Sequence, residues 1–326
     1  AMDALLYMTT GMLDRHDADI QVETAVCKVF SSEYGWRVVN DAMQIMGGES
    51  YMTENEIERI FRDTRIDLIV EGANEVMQNY IFGYGGKQLA EQMLGIKNAL
   101  MKDEGESLGA FVAKAGKNAL RPAIMKKAVP LGLEVFFGFK PAMSKVTAVL
   151  PENQAYADRL AYLARELSYQ FKINSKKWDV KILDRQAIQA RVANVAILLH
   201  AFAATLAKLD ADCRAHAGNG AGAADTEFQR DKAAAHHFFD LAQREIEQNI
   251  VALTVNADST MLSAADAAMK HSATEPNSDF AIHEKSPNAQ GTGRVLKQDG
   301  IKQFPGTPMV PHTDEARSRQ TCLTKA

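Results

Sequence analysis

Apolar residues recur along most of this chain three or four positions apart and nowhere in clean alternation, so helices are expected throughout. Leu5, Leu6, Met8 and Met12 place a first helix over about 3–13. Ile20, Val22, Val26, Val29, Phe30, Val38, Met43 and Met46 form the apolar face of a second, over about 19–46, which Gly47-Gly48 stops. Thr53 and Glu56 have the spacing of a capping box and open a short helix to about 63. The apolar run at 66–70 is interrupted at Gly72. A helix restarts at Asn74 and runs to about 93 through Val76, Met77, Tyr80, Ile81 and Leu89, its middle weakened by Gly83, Gly85 and Gly86. Three further periodic segments, about 151–172, 184–209 and 225–255, read as long antiparallel helices of a small bundle. The fold class is all-α.

The pattern divides the chain into four stretches: a helical domain over 1–94, a basic connecting segment rich in glycine and proline over 95–150, an additional helical bundle over 151–256, and a mostly disordered tail over 257–326. The tail is read as disordered because five of the nine prolines follow His271, with too few large apolar residues to offset the entropy of ordering. The chain opens without methionine and already in helical pattern, which suggests a start inside a domain. No apolar run long enough to span a membrane is expected.

Composition narrows the function classes. A formal charge of -4 over 326 residues gives no global case for nucleic acid. Cys27, Cys213 and Cys322 lie far apart with no metal-ligand spacing, so neither a disulfide framework nor a metal site is expected. His200, among Leu198, Leu199, Phe202 and Ala203, reads as a core histidine. His236 and His237 are adjacent, point to different helix faces and make a poor metal pair.

The densest chemistry lies in QIMGGESYMTENEIERIFRDTRIDLIVEGANE, from Gln44 to Glu75. A Gly-Gly break, a helix laced with acids and bases, and a glutamate followed by glycine would present a carboxylate where the backbone allows close approach. On charge alone, Arg59, Arg62 and Arg65 read as a solvated face paired with Glu56, Glu58 and Asp63.

This stretch resembles the C-terminal signature of the flavin-dependent acyl-CoA dehydrogenases. That family shows Q-x-x-G-G-x-G-aromatic, then R-x-x-R-D-x-[RK], then E-G-T. Gln44, Gly47, Gly48, Tyr51, Arg59, Arg62, Asp63, Arg65, Glu71 and Gly72 stand at matching positions. Ser50 stands where the family has Gly, and Ala73 where it has Thr, which removes a hydroxyl from the flavin's surroundings. The upstream piece IQVETAVCKVFSSEYGWRVVNDAMQIMGG resembles the very-long-chain branch, which carries an extra helical domain. The family's N-terminal helical domain and middle β-domain would precede Ala1.

The resemblance implies an FAD-dependent α,β-dehydrogenation of long-chain acyl-CoA in fatty acid β-oxidation. Glu71 would be the base that takes the α proton. Burial against substrate and flavin would raise its pKa toward the working pH. Gly72 would leave room for the substrate. Gln44, Ile45, Met46, Gly47, Gly48, Ala73, Asn74 and Glu75 would contact FAD mainly through backbone groups, partly across the interface of a homodimer. Electron-transfer flavoprotein would accept the electrons. The expected setting is bacterial cytoplasm, peripheral to the inner membrane, or the mitochondrial matrix of a eukaryote. The alternative is a non-catalytic helical module for dimerisation or membrane docking.

Between 114 and 145, Lys114, Lys117, Arg121, Lys126, Lys127, Lys140 and Lys145 face a lone acid, Glu134, and are interleaved with Phe136, Phe137 and Phe139. Two readings stand open: an interfacial segment that meets anionic headgroups, or a segment packed on its own domain. Pro122, Pro130 and Pro141 exclude one continuous helix there.

Overall fold

The structure is a computed structural model that describes residues 1–17, 19–102, 105–218, 225–272, 296–297 and 300–301. Residues Ala1–Asn256 form one compact unit and Ala257–Ala326 a second. In the first unit, α1 (Met2–Asp14) leads into α2 (Gln21–Met46), α3 (Glu56–Arg65), α4 (Asn74–Gly85), α5 (Lys87–Leu100), α6 (Leu108–Ala119) and α7 (Pro122–Phe137). It is completed by α8 (Gln154–Trp178), α9 (Gln186–Gly218) and α10 (Thr226–Ala252). The all-α expectation holds.

The core runs through both of the expected bundles. Phe202 of α9 stacks on Phe239 of α10 with centroids 4.4 Å apart, and Tyr156 of α8 meets the same ring at 4.6 Å. Phe30 of α2 meets Phe238 of α10 edge-on at 5.9 Å. Leu5, Phe30, Leu163, Phe202, Phe239 and Ile246 are almost wholly excluded from solvent in one continuous cluster. Segments 1–94 and 151–256 therefore share a core.

α9 revises one expectation. It is long and apolar enough to cross a membrane by length and composition, but 67% of its apolar window is buried, and it packs against α1, α2, α4, α8 and α10. Its apolarity is that of a central core helix covered on all sides.

Several boundaries differ from the sequence reading. α2 buries Ala25, Val26, Val29 and Phe30, whereas Val38 and Met46 of its expected face are exposed. The capping box does not form: Asn55 caps α3, its Oδ1 accepting from the Ile57 N–H at 3.3 Å. The helix expected over 74–93 breaks at Gly86, where an added Cβ would lie 2.4 Å from the Phe171 ring.

The segment over 95–150 is more helical than expected. Arg121, before Pro122, is held extended and separates α6 from α7, as proline's steric demand on its predecessor requires. α7 starts on Pro122, carries Pro130 inside and ends on Gly138 in the left-handed region at φ 75. The lone acid Glu134 is buried, and Lys172 of α8 donates to it at 2.7 Å. Lys140 reaches Glu166 at 2.5 Å and Lys114 reaches Glu106 at 2.8 Å, so part of the basic stretch is neutralised within the fold.

In the second unit, α11 (Asp258–Ser272) is helical where a disordered tail was expected. Leu296–Lys297 pairs antiparallel with Gly300–Ile301. The rest of the expected tail, with Cys322, lies outside the described residues.

Candidate active site

Two separate patches hold the residues singled out in the sequence. The first is the end of α2. Gly47 has φ 65 and ψ -147, a region open essentially to glycine, and it turns the chain into a 3-10 turn over Gly47–Tyr51. Ser50 closes that turn: its buried hydroxyl lies 2.6 Å from the Gly47 carbonyl and 2.8 Å from that of Met43. The hydroxyl at this departure from the family pattern thus ties the turn to the helix terminus. Gln44, Ile45, Met46, Gly47 and Gly48 are all exposed, with Ile45 at 85%.

The second patch is the stretch from Glu71 to Glu75, ahead of and within the first turn of α4. Glu71 has φ 55 and Gly72 has φ 91, two consecutive left-handed residues. For a residue with a Cβ this costs on the order of 1–2 kcal/mol, which the surroundings must hold in place. At Gly72 an added Cβ would lie 2.7 Å from Met77 Sδ, so a side chain there would also have to displace the Met77 thioether. Glu71, Gly72 and Glu75 are exposed, and Ala73 is half-buried. The burial expected for Glu71 is not supplied by this chain's own residues.

What holds the loop was not foreseen. The Lys28 ammonium donates to the Gly72 carbonyl at 2.7 Å and to Asn74 Oδ1 at 2.6 Å. The Asn74 amide in turn donates to Ser32 Oγ at 3.0 Å and Glu33 Oε1 at 2.9 Å. Asn74 is buried with its side chain fully engaged, so only its backbone remains for a ligand. Burial holds the Lys28 pKa below the ordinary 10.5, against the opposing pull of Asp67, Glu33 and Glu75. The sequence carried a faint signal, since Lys28 and Ser32 stand one turn apart on α2 and share a face.

The two patches lie apart along α2, one at its C-terminal end and the other against Lys28, Ser32 and Glu33 near its middle. From Ser32 to Met46 the helix rises roughly 20 Å, so one small group cannot touch both patches of one chain. Between them, α3 is fixed on α2 by Trp36 against Phe61 at 4.6 Å and by Arg65 over Trp36 at 5.8 Å. Arg59 pairs with Glu56 and Arg62 with Glu58 along the same helix, as the charge pattern suggested.

Two of the histidines singled out in the sequence sit in the packing of the helices. His200 is half-buried with its Nε2 unpartnered, and burial lowers its pKa against a smaller opposing effect of Glu23. His236 stacks on Tyr156 at 5.0 Å.

Residues 1–82 match the family model described as the acyl-CoA dehydrogenase, C-terminal domain. Among its relatives, the mitochondrial very long-chain specific acyl-CoA dehydrogenase of Bos taurus is 28% identical over 208 residues, 63% of this chain. A probable acyl-CoA dehydrogenase, FadE10, of Mycobacterium bovis is 23% identical over 221 residues, 65% of this chain. The match spans 29% of the length of the bovine protein and 32% of the mycobacterial one. A crystal structure of an acyl-CoA dehydrogenase complexed with FAD from Bacillus anthracis aligns with a TM-score of 0.45 and 20% identity, covering 74% of this chain and 35% of that one.

Proposed function

We propose that this chain supplies the C-terminal part of an FAD-dependent acyl-CoA dehydrogenase, in which Glu71 takes the α proton of a long-chain acyl thioester. The observation that carries the reading is Glu71 itself: a solvent-facing carboxylate on a left-handed loop, next to a glycine and inside the motif of the matched domain. A carboxylate with an ordinary pKa near 4.3 is a weak base for an α proton, and burial raises it. Here acyl-CoA and cofactor would have to supply that burial.

The residues fit a flavin. Nothing lies within 4 Å of an added Cβ at Gly47 or Gly48, so a bulky planar or phosphate group can lie against that backbone. When bound, FAD supplies the hydride acceptor. Gln44 to Gly48 would hold cofactor through main-chain groups at the C-terminal end of α2, and Ala73 to Glu75 would do so beside the middle of the same helix. Their separation suits a homodimer in which each chain serves two cofactors. Acyl-CoA as substrate, electron-transfer flavoprotein as acceptor, and a role in fatty acid β-oxidation in bacterial cytoplasm or mitochondrial matrix belong to the same proposal.

The test is anaerobic mixing of the flavin-loaded protein that contains this chain with palmitoyl-CoA. Bleaching of the flavin band is the expected result. An unchanged spectrum overturns the reading and favours a non-catalytic helical module.

A peripheral membrane role for residues 114–145 has its own support. Phe136, Phe137 and Phe139 are each more than 60% exposed beside the exposed Lys126 and Lys127 of α7.

A further inference from the structure

We propose that Lys28 is the positioning residue for Glu71: by holding the Gly72 carbonyl and the Asn74 side chain together, it fixes the loop that presents the carboxylate. The inference rests on the reading of Glu71 as the base.

The geometry is specific to that task. A single ammonium reaches both ends of the tripeptide that follows Glu71, at 2.7 Å to the Gly72 carbonyl and 2.6 Å to Asn74 Oδ1. It crosses from a helix more than forty residues earlier in the chain, so it fixes the loop against α2 and not merely within itself. The second contact cannot swing away, because both amide hydrogens of Asn74 are committed to Ser32 and Glu33. The Ser32 hydroxyl has the Val29 carbonyl at 3.1 Å and Asn74 Oδ1 at 3.2 Å as acceptors, while its oxygen accepts from the Asn74 amide at 3.0 Å.

Holding the Gly72 carbonyl sets the plane of the peptide that follows it. With Glu71 at φ 55 and Gly72 at φ 91, the loop sits in a conformation that relaxes toward ordinary backbone angles once that plane is free. Among the described residues Glu71 has no side-chain partner of its own to restore the position, so its carboxylate would wander with the loop. Among the described residues Lys28 makes no hydrogen bond or ion pair with Glu71, and acts through Gly72 and Asn74.

The test has two arms in protein labelled with ¹³C-glutamate. Lys28→Met keeps the apolar stem and removes the donors, Lys28→Arg keeps them, and Lys28→Gln, whose amide stands one atom short of the ammonium position and cannot bridge both acceptors, is the milder variant should methionine unfold the helix pair. The Glu71 Cα and Cβ shifts, which report its left-handed backbone, are expected to move toward averaged values in Lys28→Met or Lys28→Gln and to return in Lys28→Arg. Unmoved shifts with the donors removed overturn the proposal.

In the second arm, flavin reduction by palmitoyl-CoA is expected to slow by about tenfold or more in Lys28→Met with KM changed far less, and to recover in Lys28→Arg. An unaltered rate also overturns it. Wild-type protein that leaves its flavin oxidised sinks the reading of Glu71 as base, and the shift comparison still decides the clamp.

Discussion

The ring of Phe171 stands where a Cβ at Gly86 would have to go, its Cε2 and Cζ each 2.4 Å from that position. This contact joins α8 to the break between α4 and α5, and Phe82 meets the same ring at 5.3 Å. The glycine is required by a side chain from the far half of the sequence.

Gly86→Ala is therefore expected to destabilise the first unit by about 1–3 kcal/mol, the range for overpacking a filled site. A thermal melt measures it. Phe171→Leu in the same chain should recover part of the loss, because it vacates the position the new methyl needs.

The buried pair of Lys172 and Glu134 makes an asymmetric prediction. The two side chains are 11% and 6% exposed, and Glu134 Oε1 has no hydrogen-bond partner among the described residues. Lys172→Met strands a carboxylate in the interior and should cost roughly 3–5 kcal/mol, whereas Lys172→Met combined with Glu134→Leu should recover most of that. Denaturant unfolding of both variants checks the difference.

Asp210 gives the fold a dependence on acid. Burial alone would raise its pKa, but hydrogen bonds from Asn153, from the Leu150 N–H and from Arg214 outweigh it and hold the carboxyl below its ordinary 3.8. A depressed folded-state value adds stability that is present above the ordinary pKa and is lost as the pH falls through the folded one. The melting temperature should thus fall as the pH drops from about 5 to about 2.5, and less steeply in Asp210→Asn.

Charge reversal at Lys126 and Lys127 tests the membrane proposal. Both lysines are exposed on α7, the helix that ends in the exposed Phe136 and Phe137. Co-sedimentation with vesicles rich in anionic phospholipid should weaken sharply in the doubly reversed protein. Undiminished binding would contradict a role for these lysines.

Local features were legible in the sequence. The helices expected over 3–13 and 225–255 appear as Met2–Asp14 and Thr226–Ala252, and the Gly-Gly stop after Met46 stands where periodicity ended. These depend on nearest neighbours along the chain. The features that escaped depend on distant partners: Phe171 dictates the break at Gly86, and Lys172 accounts for a buried acid in α7. At the site, the left-handed glycine and the glutamate beside it could be read from type and spacing. The lysine that holds them left only the faint signal of its spacing from Ser32, because its partners are a backbone carbonyl and an amide far along the chain, and a carbonyl leaves no trace in composition.

The most direct test of the account is a single-turnover reaction of flavin-loaded Glu71→Gln protein with palmitoyl-CoA, followed at the flavin absorption band. The variant should retain its flavin spectrum and bleach on the order of 10²–10⁴ times more slowly than wild type, or not at all. Bleaching at the wild-type rate would contradict the assignment of Glu71 as the base.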